Sequence, residues 1–92
     1  MPGVVPEAEI RAHLEKVLSS HALARSPRLS RLLRYTVEKT LQGQGGELKE
    51  YLLGTEVFEK GPAFDPSADT IVRVQARRLR QKLHEYYQRE GS

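Results

Sequence analysis

Several features that define common protein classes are missing from this 92-residue chain. It has no cysteine, which excludes a disulfide framework, a thiol nucleophile and a thiolate zinc site. No apolar run approaches the ~20 residues that a membrane-spanning helix needs. Residues 1–6 lack the basic head and the long apolar stretch of a signal peptide. We therefore expect a small cytoplasmic protein with no membrane partner.

Patterns of catalytic and metal-binding residues are missing as well. Ser26 and Ser30 have no neighbouring base in any recognisable motif, and the histidines have no spacing that joins them to acids as a metal site. The glycine run at 43–46 lacks the Lys-Ser/Thr ending of a phosphate-binding loop, so it predicts a turn. Asp65 and Asp69 are explained by turn and cap roles. We expect no enzyme, no metal, no cofactor and no small-molecule substrate.

The charges that are present are segregated along the chain, whose net charge is +3. Residues 25–39 contain five basic residues and one acid, and residues 73–89 contain six basic residues and one acid. The acids gather between them, at 47–69. Segregated basic segments are typical of proteins that bind a polyanion. Two solvated helix faces would give the same pattern. The charge pattern alone therefore does not distinguish a polyanion-binding protein from one whose basic helix faces are only solvated.

Apolar residues recur at helical spacing in four segments, which predicts an all-α fold. The predicted helices cover 7–20, 27–42, 47–53 and 70–89, within one helical domain at 7–92 that follows a flexible tail at 1–6. Ser26 and Pro27 are typical of a helix start, as an N-cap and a first helical residue.

The third and fourth helices carry more detailed expectations. In the third helix we expect Leu48, Tyr51 and Leu52 to face inward and Gly54 to end or kink the helix. Three residues are alternative caps for the fourth helix: Asp65, Ser67 and Asp69.

The fourth helix is amphipathic and rich in arginine. One apolar stripe is predicted to face the core, at Val72, Ala76, Leu79, Leu83, Tyr86 and Tyr87. The basic residues lie on both flanks of that stripe: Arg73, Arg77 and Arg80 on one side, Arg78 and Lys82 on the other. Val74 falls between the two basic flanks, on the face away from the core.

The order of elements and the pattern of the fourth helix resemble a known family. Val72 and Val74, followed by Arg78-Leu79-Arg80 and Lys82-Leu83, resemble the recognition helix of the OmpR/PhoB type of winged-helix DNA-binding domain. That signature reads roughly V-x-V-x-I-x-x-L-R-x-K-L, and Ala76 stands where the family has a larger aliphatic residue. The stretch 51–58 looks loosely like the family's positioning helix. The resemblance covers residues 48–83.

A closer likeness covers most of the chain. The residues that carry it are Leu48-Lys49-Glu50-Tyr51, Glu56-Val57-Phe58, Phe64-Asp65-Pro66, Ile71-Val72-Arg73-Val74, Arg77-Arg78-Leu79-Arg80, Lys82-Leu83 and Tyr86-Tyr87. This run is similar to an amino-terminal domain of larger bacterial proteins, which often carry tetratricopeptide repeats or cyclase-like regions. The likeness implies that these residues are one module of something longer.

Winged helices continue after the recognition helix with a β-hairpin wing, whereas this sequence stops at Gly91-Ser92, where that hairpin would begin. The resemblance therefore implies a small helix-turn-helix bundle of about four helices without a wing in these residues. Whether the wing is absent by nature stays open. The DNA contact that the family would make is incomplete without it.

The resemblance implies a DNA-binding module of a bacterial transcriptional regulator, with residues 70–89 as the recognition helix in the major groove of double-stranded DNA. Arg73, Arg77 and Arg80 would face the bases. The residues expected to contact phosphates are Arg78, Lys82 and Lys49. The alternative is a protein-interaction or homo-oligomerisation module of a larger regulatory protein, in which the basic helix meets an acidic partner or the 47–69 region of another copy.

Overall fold

Helices α1 to α4 account for most of the chain in the computed structural model, which describes residues 6–47 and 49–89. Their bounds are Glu7–Leu18 for α1, Pro27–Leu41 for α2, Glu50–Glu56 for α3 and Ile71–Arg89 for α4, with a 3-10 turn at Gly45–Glu47. No strand occurs in these described ranges, and the predicted all-α fold is confirmed. The predicted tail falls mostly at residues 1–5, outside the described residues.

Helices α1 and α2 begin where the sequence predicts. The carbonyl of Pro6 accepts the backbone N–H groups of Glu9 and Ile10, at 3.0 and 3.2 Å, which closes the first turn of α1. Ser26 precedes Pro27 at the start of α2, but its side chain makes no capping hydrogen bond. Its carbonyl instead accepts the N–H of Ser30 at 2.9 Å.

Helix α3 differs from the prediction in register and in the role of Gly54. The helix begins three residues later than expected, because residues 45–47 form the separate 3-10 turn. Gly54 lies inside α3 and does not end it. The ring of Phe64 packs against this glycine so closely that a Cβ there would lie 2.2 Å from Phe64 Cε2. The glycine is therefore required by packing and not by a turn.

The structure also differs from the prediction in which residues of α3 face the core. The expectation that Tyr51 and Leu52 face inward is wrong, since they are 42% and 36% exposed. Leu53 and Val57, one helical turn apart, pack against the core instead. The same expectation for Leu48 lies outside the described residues.

Helix α4 confirms the predicted bounds and the predicted stripe. Val72, Leu79 and Tyr86 are buried, and Ala76 and Leu83 are half-buried against the core. The last member of the stripe, Tyr87, is 47% exposed, so it lies at the rim.

The core lies where α4 crosses the other helices. Helix α4 packs on α2 and α3, while α1 packs on α2. The core side chains come from three helices and the adjoining loops: Val17, Leu23, Leu29, Leu32, Val57, Leu79 and Tyr86. None of the described helices is both long and apolar enough to cross a bilayer. The packing leaves the side of α4 that is opposite its buried stripe open to solvent.

Candidate nucleic-acid interface

The open side of α4 carries exposed arginines. Val74, Arg77 and Gln81 follow each other at spacings of three and four residues, so they share one face, the outer face of α4. Arg78 lies beside this face, on the flank toward α2. All four side chains are exposed. Arg80 is exposed on the flank toward α3. Across residues 6–47 and 49–89, Arg77, Arg78 and Arg80 make no hydrogen bond or ion pair.

Arg73, which the sequence places with Arg77 and Arg80, has partners within the protein. Its Nη2 donates to the carbonyl oxygen of Pro66 at 2.8 Å. Its Nε lies 3.3 Å from Oε2 of Glu50, the first residue of α3. That carboxylate oxygen is buried and has no hydrogen bond, so the nearby guanidinium charge compensates its burial. Arg73 thus holds α4 to α3 and to the preceding loop.

The two lysines that the sequence nominates are at the margins of the arginine surface. Lys82 lies half-buried on α4 with its Nζ 3.9 Å from Oε2 of Glu85, which is a weak exposed pair. Lys49 is exposed and precedes the first residue of α3 in an extended conformation. Lys49 makes no hydrogen bond or ion pair with the described residues of α4.

Of the three predicted caps for α4, Asp69 is the residue whose side chain bonds to the start of the helix. Oδ1 of Asp69 accepts the backbone N–H of Ile71 at 3.0 Å, and Oδ2 lies 3.0 Å from Nζ of Lys60. The hydrogen bond from Lys60, followed by the one from Ile71, lowers the pKa of the Asp69 carboxyl below its usual value. The carboxylate therefore stays charged and joins the two ends of the loop.

Asp65 has a separate role as a turn residue. Its Oδ1 accepts hydrogen bonds from Oγ and from the backbone N–H of Ser67, at 2.7 and 3.0 Å. These bonds, the side-chain one first, lower the pKa of the Asp65 carboxyl. Asp65 and Ser67 thus shape the loop before α4 and do not cap the helix.

The arginines of α2 differ from those of α4, because two of them are paired with acids. Arg34 donates to both carboxylate oxygens of Glu15 on α1, at 2.7 and 3.3 Å, and this bonding lowers the pKa of Glu15. Arg31 lies 3.3 Å from Glu59 in the loop after α3. Both arginines are exposed and have partners that the sequence pattern did not reveal.

Arg28, on α2, lies beside the arginine surface of α4, a position that the sequence does not predict. Together with Ser26, Pro27 and Leu29 it lines a surface depression that Gln75 and Arg78 of α4 complete. The first turn of α2 therefore adds a guanidinium group to the Arg78 flank of α4. No local pattern could have indicated this, because residues 28 and 78 meet only through the packing of α2 on α4.

Other candidate groups have structural partners. Oγ of Ser30 donates to the carbonyl oxygen of Leu23 at 3.2 Å. Nε2 of His13 lies 2.7 Å from the hydroxyl oxygen of Tyr87, and the two rings stack at 5.8 Å between centroids. Among the described residues, no group of three His, Asp or Glu side chains is arranged to hold a metal ion.

Comparisons with protein-family models, with curated proteins and with solved structures find no match to this chain. The functional interpretation therefore depends on the arrangement of its own side chains.

Proposed function

We propose that this chain is a double-stranded DNA-binding module of helix-turn-helix type that uses α4 as its recognition helix. The observation that supports the proposal is the set of exposed α4 arginines that have no acidic partner among the described residues: Arg77, Arg78 and Arg80. By contrast, Arg31 and Arg34 on α2 and Arg73 near the start of α4 have carboxylate partners. Unpaired guanidinium groups clustered on one helix attract a polyanion such as DNA.

The proposed roles follow from the position of each side chain. Arg77 on the outer face and Arg80 beside it would approach base edges, where arginine pairs with guanine O6 and N7. Arg78, on the opposite flank, would contact the phosphate backbone. Arg73 would contribute less than its neighbours, because Glu50 and Pro66 already engage it. We assign no catalysis to this surface and place the module in the cytoplasm of a bacterium, within a larger regulatory protein.

The test is a fluorescence anisotropy titration with a mixed-sequence DNA duplex at several salt concentrations. In a non-specific complex, where no base is read, all three exposed arginines would contact phosphates. The expected slope of log K against log salt is then about −3, at roughly −0.9 per contact. The variant Arg77→Gln/Arg80→Gln should weaken binding by at least about tenfold, since each arginine contact contributes about 1–3 kcal/mol.

The matched control removes two arginines that are already paired. Arg31→Gln/Arg34→Gln changes the net charge by the same amount, but should alter the affinity by less than about twofold, given the small energies of exposed ion pairs. Circular dichroism verifies the fold of each variant. Absence of binding at low salt, or an equal loss in the control, would contradict the proposal.

One observation favours a second function, self-association or binding of an acidic protein. Val74 is 40% exposed in the middle of the outer face, where a protein partner would bury its apolar side chain. Light scattering on the wild type and on Val74→Asp separates the two functions. A concentration-dependent dimer that Val74→Asp dissociates would support self-association. A strict monomer at high concentration would count against self-association, though not against a different protein partner.

A further inference from the structure

The depression between α2 and α4 has an unusual combination of charges. Its lining comprises Arg28 and Arg78, the polar residues Ser26 and Gln75, and the apolar residues Pro27 and Leu29. No described acidic residue is among them. Both arginines are exposed, and neither makes a hydrogen bond or an ion pair with any part of the chain that the structure describes. Two positive charges thus share one depression, and no described residue supplies a counterion.

The size and position of the depression fit a phosphate group. Its volume is about 320 Å³. The four oxygens of a phosphate occupy roughly the volume of four waters, ~120 Å³ at ~30 Å³ each, so the group would fit with some of its hydration. The depression lies on a flank of α4 and not on its outer face. When a helix lies in the major groove, its flanks are the sides that approach the two phosphate backbones.

We propose that Arg28 and Arg78 together bind a single backbone phosphate of duplex DNA, so that α2 supplies part of the interface. The inference rests on the proposed DNA-binding function. A phosphodiester has two non-bridging oxygens that share one negative charge, one oxygen for each guanidinium group, and arginine hydrogen bonds to phosphate are charge-assisted. This contact would fix the position of α4 along the groove, because it comes from a second helix that packs against α4.

A double-mutant cycle in duplex DNA binding tests the shared phosphate. The proteins are the wild type, Arg28→Gln, Arg78→Gln and the double variant, each titrated at several salt concentrations. Each single variant should lower the affinity by about fivefold, and the double variant by less than the product of the two losses. The salt slope of the double variant should fall by about 1, which corresponds to one phosphate.

Arg31→Gln is the matched control, because it removes one positive charge from the same helix at an arginine that already pairs with Glu59. It should leave the affinity within about twofold of wild type and the salt slope unchanged. A polyglutamate peptide serves as a second ligand and should bind much more weakly than the duplex.

The remaining outcomes separate the inference from the proposed function. If the wild type binds DNA and Arg28→Gln is unaffected, the inference is overturned and the proposed function stands. A fall of the slope by about 2 in the double variant would mean two separate phosphates and would overturn the sharing. Polyglutamate binding that equals duplex binding would assign the depression to an acidic protein. Failure of the wild type to bind duplex DNA would reject both proposals.

Discussion

Helices α2 and α4 are both rich in arginine and both present it to solvent, but the arginines have different partners. On α2, Arg31 and Arg34 pair with Glu59 and Glu15. On α4, the exposed Arg77 and Arg78 have no such partner in the described chain. Helix α2 thus uses much of its charge inside the molecule, whereas α4 keeps its charge available for another molecule.

The difference shows that a count of charges along a sequence does not measure a binding surface. The acids that pair with α2 are 19 and 28 residues away in the chain, so only the fold reveals them. Such exposed pairs contribute at most about 1 kcal/mol to stability. Their effect on recognition is larger, because a paired arginine presents little net charge to a polyanion.

The largest effect should follow from a change at the packing of α3 beneath α4. Gly54→Val places a branched side chain where even a Cβ would lie 2.2 Å from the ring of Phe64. Overpacking of this kind costs about 1–3 kcal/mol. Urea unfolding should show the loss, and the α4 surface would be lost with the fold.

Two further variants test the cause of that destabilisation. Gly61→Val adds the same side chain where nothing lies within 4 Å, and it should cost much less. In a Phe64→Ala background, Gly54→Val should lose most of its additional cost. An equal cost in both backgrounds would show that the Phe64 contact is not the reason.

A smaller effect, on DNA affinity, is expected when the arginines of α4 are given an acidic partner, as Arg31 and Arg34 of α2 already have. Gln81→Glu puts a carboxylate four residues after Arg77 and three after Arg78, where it can pair with either. DNA affinity in an anisotropy titration should fall by roughly fivefold, about 1 kcal/mol, as for loss of one arginine contact. Gln88→Glu adds the same charge farther along α4 and should change the affinity less than twofold. Equal losses in the two variants would indicate a net-charge effect.

A still smaller effect, of opposite sign, should follow from the release of a paired arginine on α4. Glu50→Gln removes the carboxylate that lies 3.3 Å from Arg73 and makes that guanidinium available to DNA. We expect binding to tighten by roughly twofold, with a slightly steeper salt dependence. Glu56→Gln, on the same helix, provides the control for net charge. Unchanged affinity in Glu50→Gln would show that Arg73 does not reach DNA.

The smallest effect is the sensitivity of the fold to acid. The folded-state pKa of Asp69 is lowered by Lys60 and by the N–H of Ile71. Its stabilising contribution is therefore complete above the unfolded pKa of about 4 and is lost as the pH falls through the lower folded value. Thermal unfolding at pH 5 and pH 3 should show this loss. It should be smaller in Asp69→Asn and in Lys60→Gln, and an undiminished loss in both would contradict the assignment.

The sequence predicts the bounds of α1, α2 and α4 well, because long apolar stripes at helical spacing dominate there. It fails at α3, which is short and contains Gly54. Local propensity treats that glycine as a helix end, whereas the contact with Phe64, ten residues later, makes it an interior residue. Tertiary packing therefore overrides the local signal.

The candidate site is predictable only in part. The spacing of Val74, Arg77 and Arg78 places all three away from the buried stripe, and all three are exposed in the structure. Arg73 follows the same spacing as Arg77, but its pairing with Glu50 depends on how α3 packs on α4. The position of Arg28 beside Arg78 depends likewise on tertiary structure. Helical periodicity predicts on which side of its own helix a residue lies. It gives no information about which side chains of other helices lie beside that residue.

The loop of residues 57–70 is tied to the helices at three places. The hydroxyl of Tyr51 donates to the carbonyl oxygen of Pro62 at 3.0 Å, the ring of Phe64 covers Gly54, and Asp69 accepts the backbone N–H of Ile71 at 3.0 Å. We expect α3, this loop and the first turn of α4 to open together, as one cooperative unit in amide hydrogen exchange. A ligand that holds the first turn of α4 should then slow exchange as far back as α3.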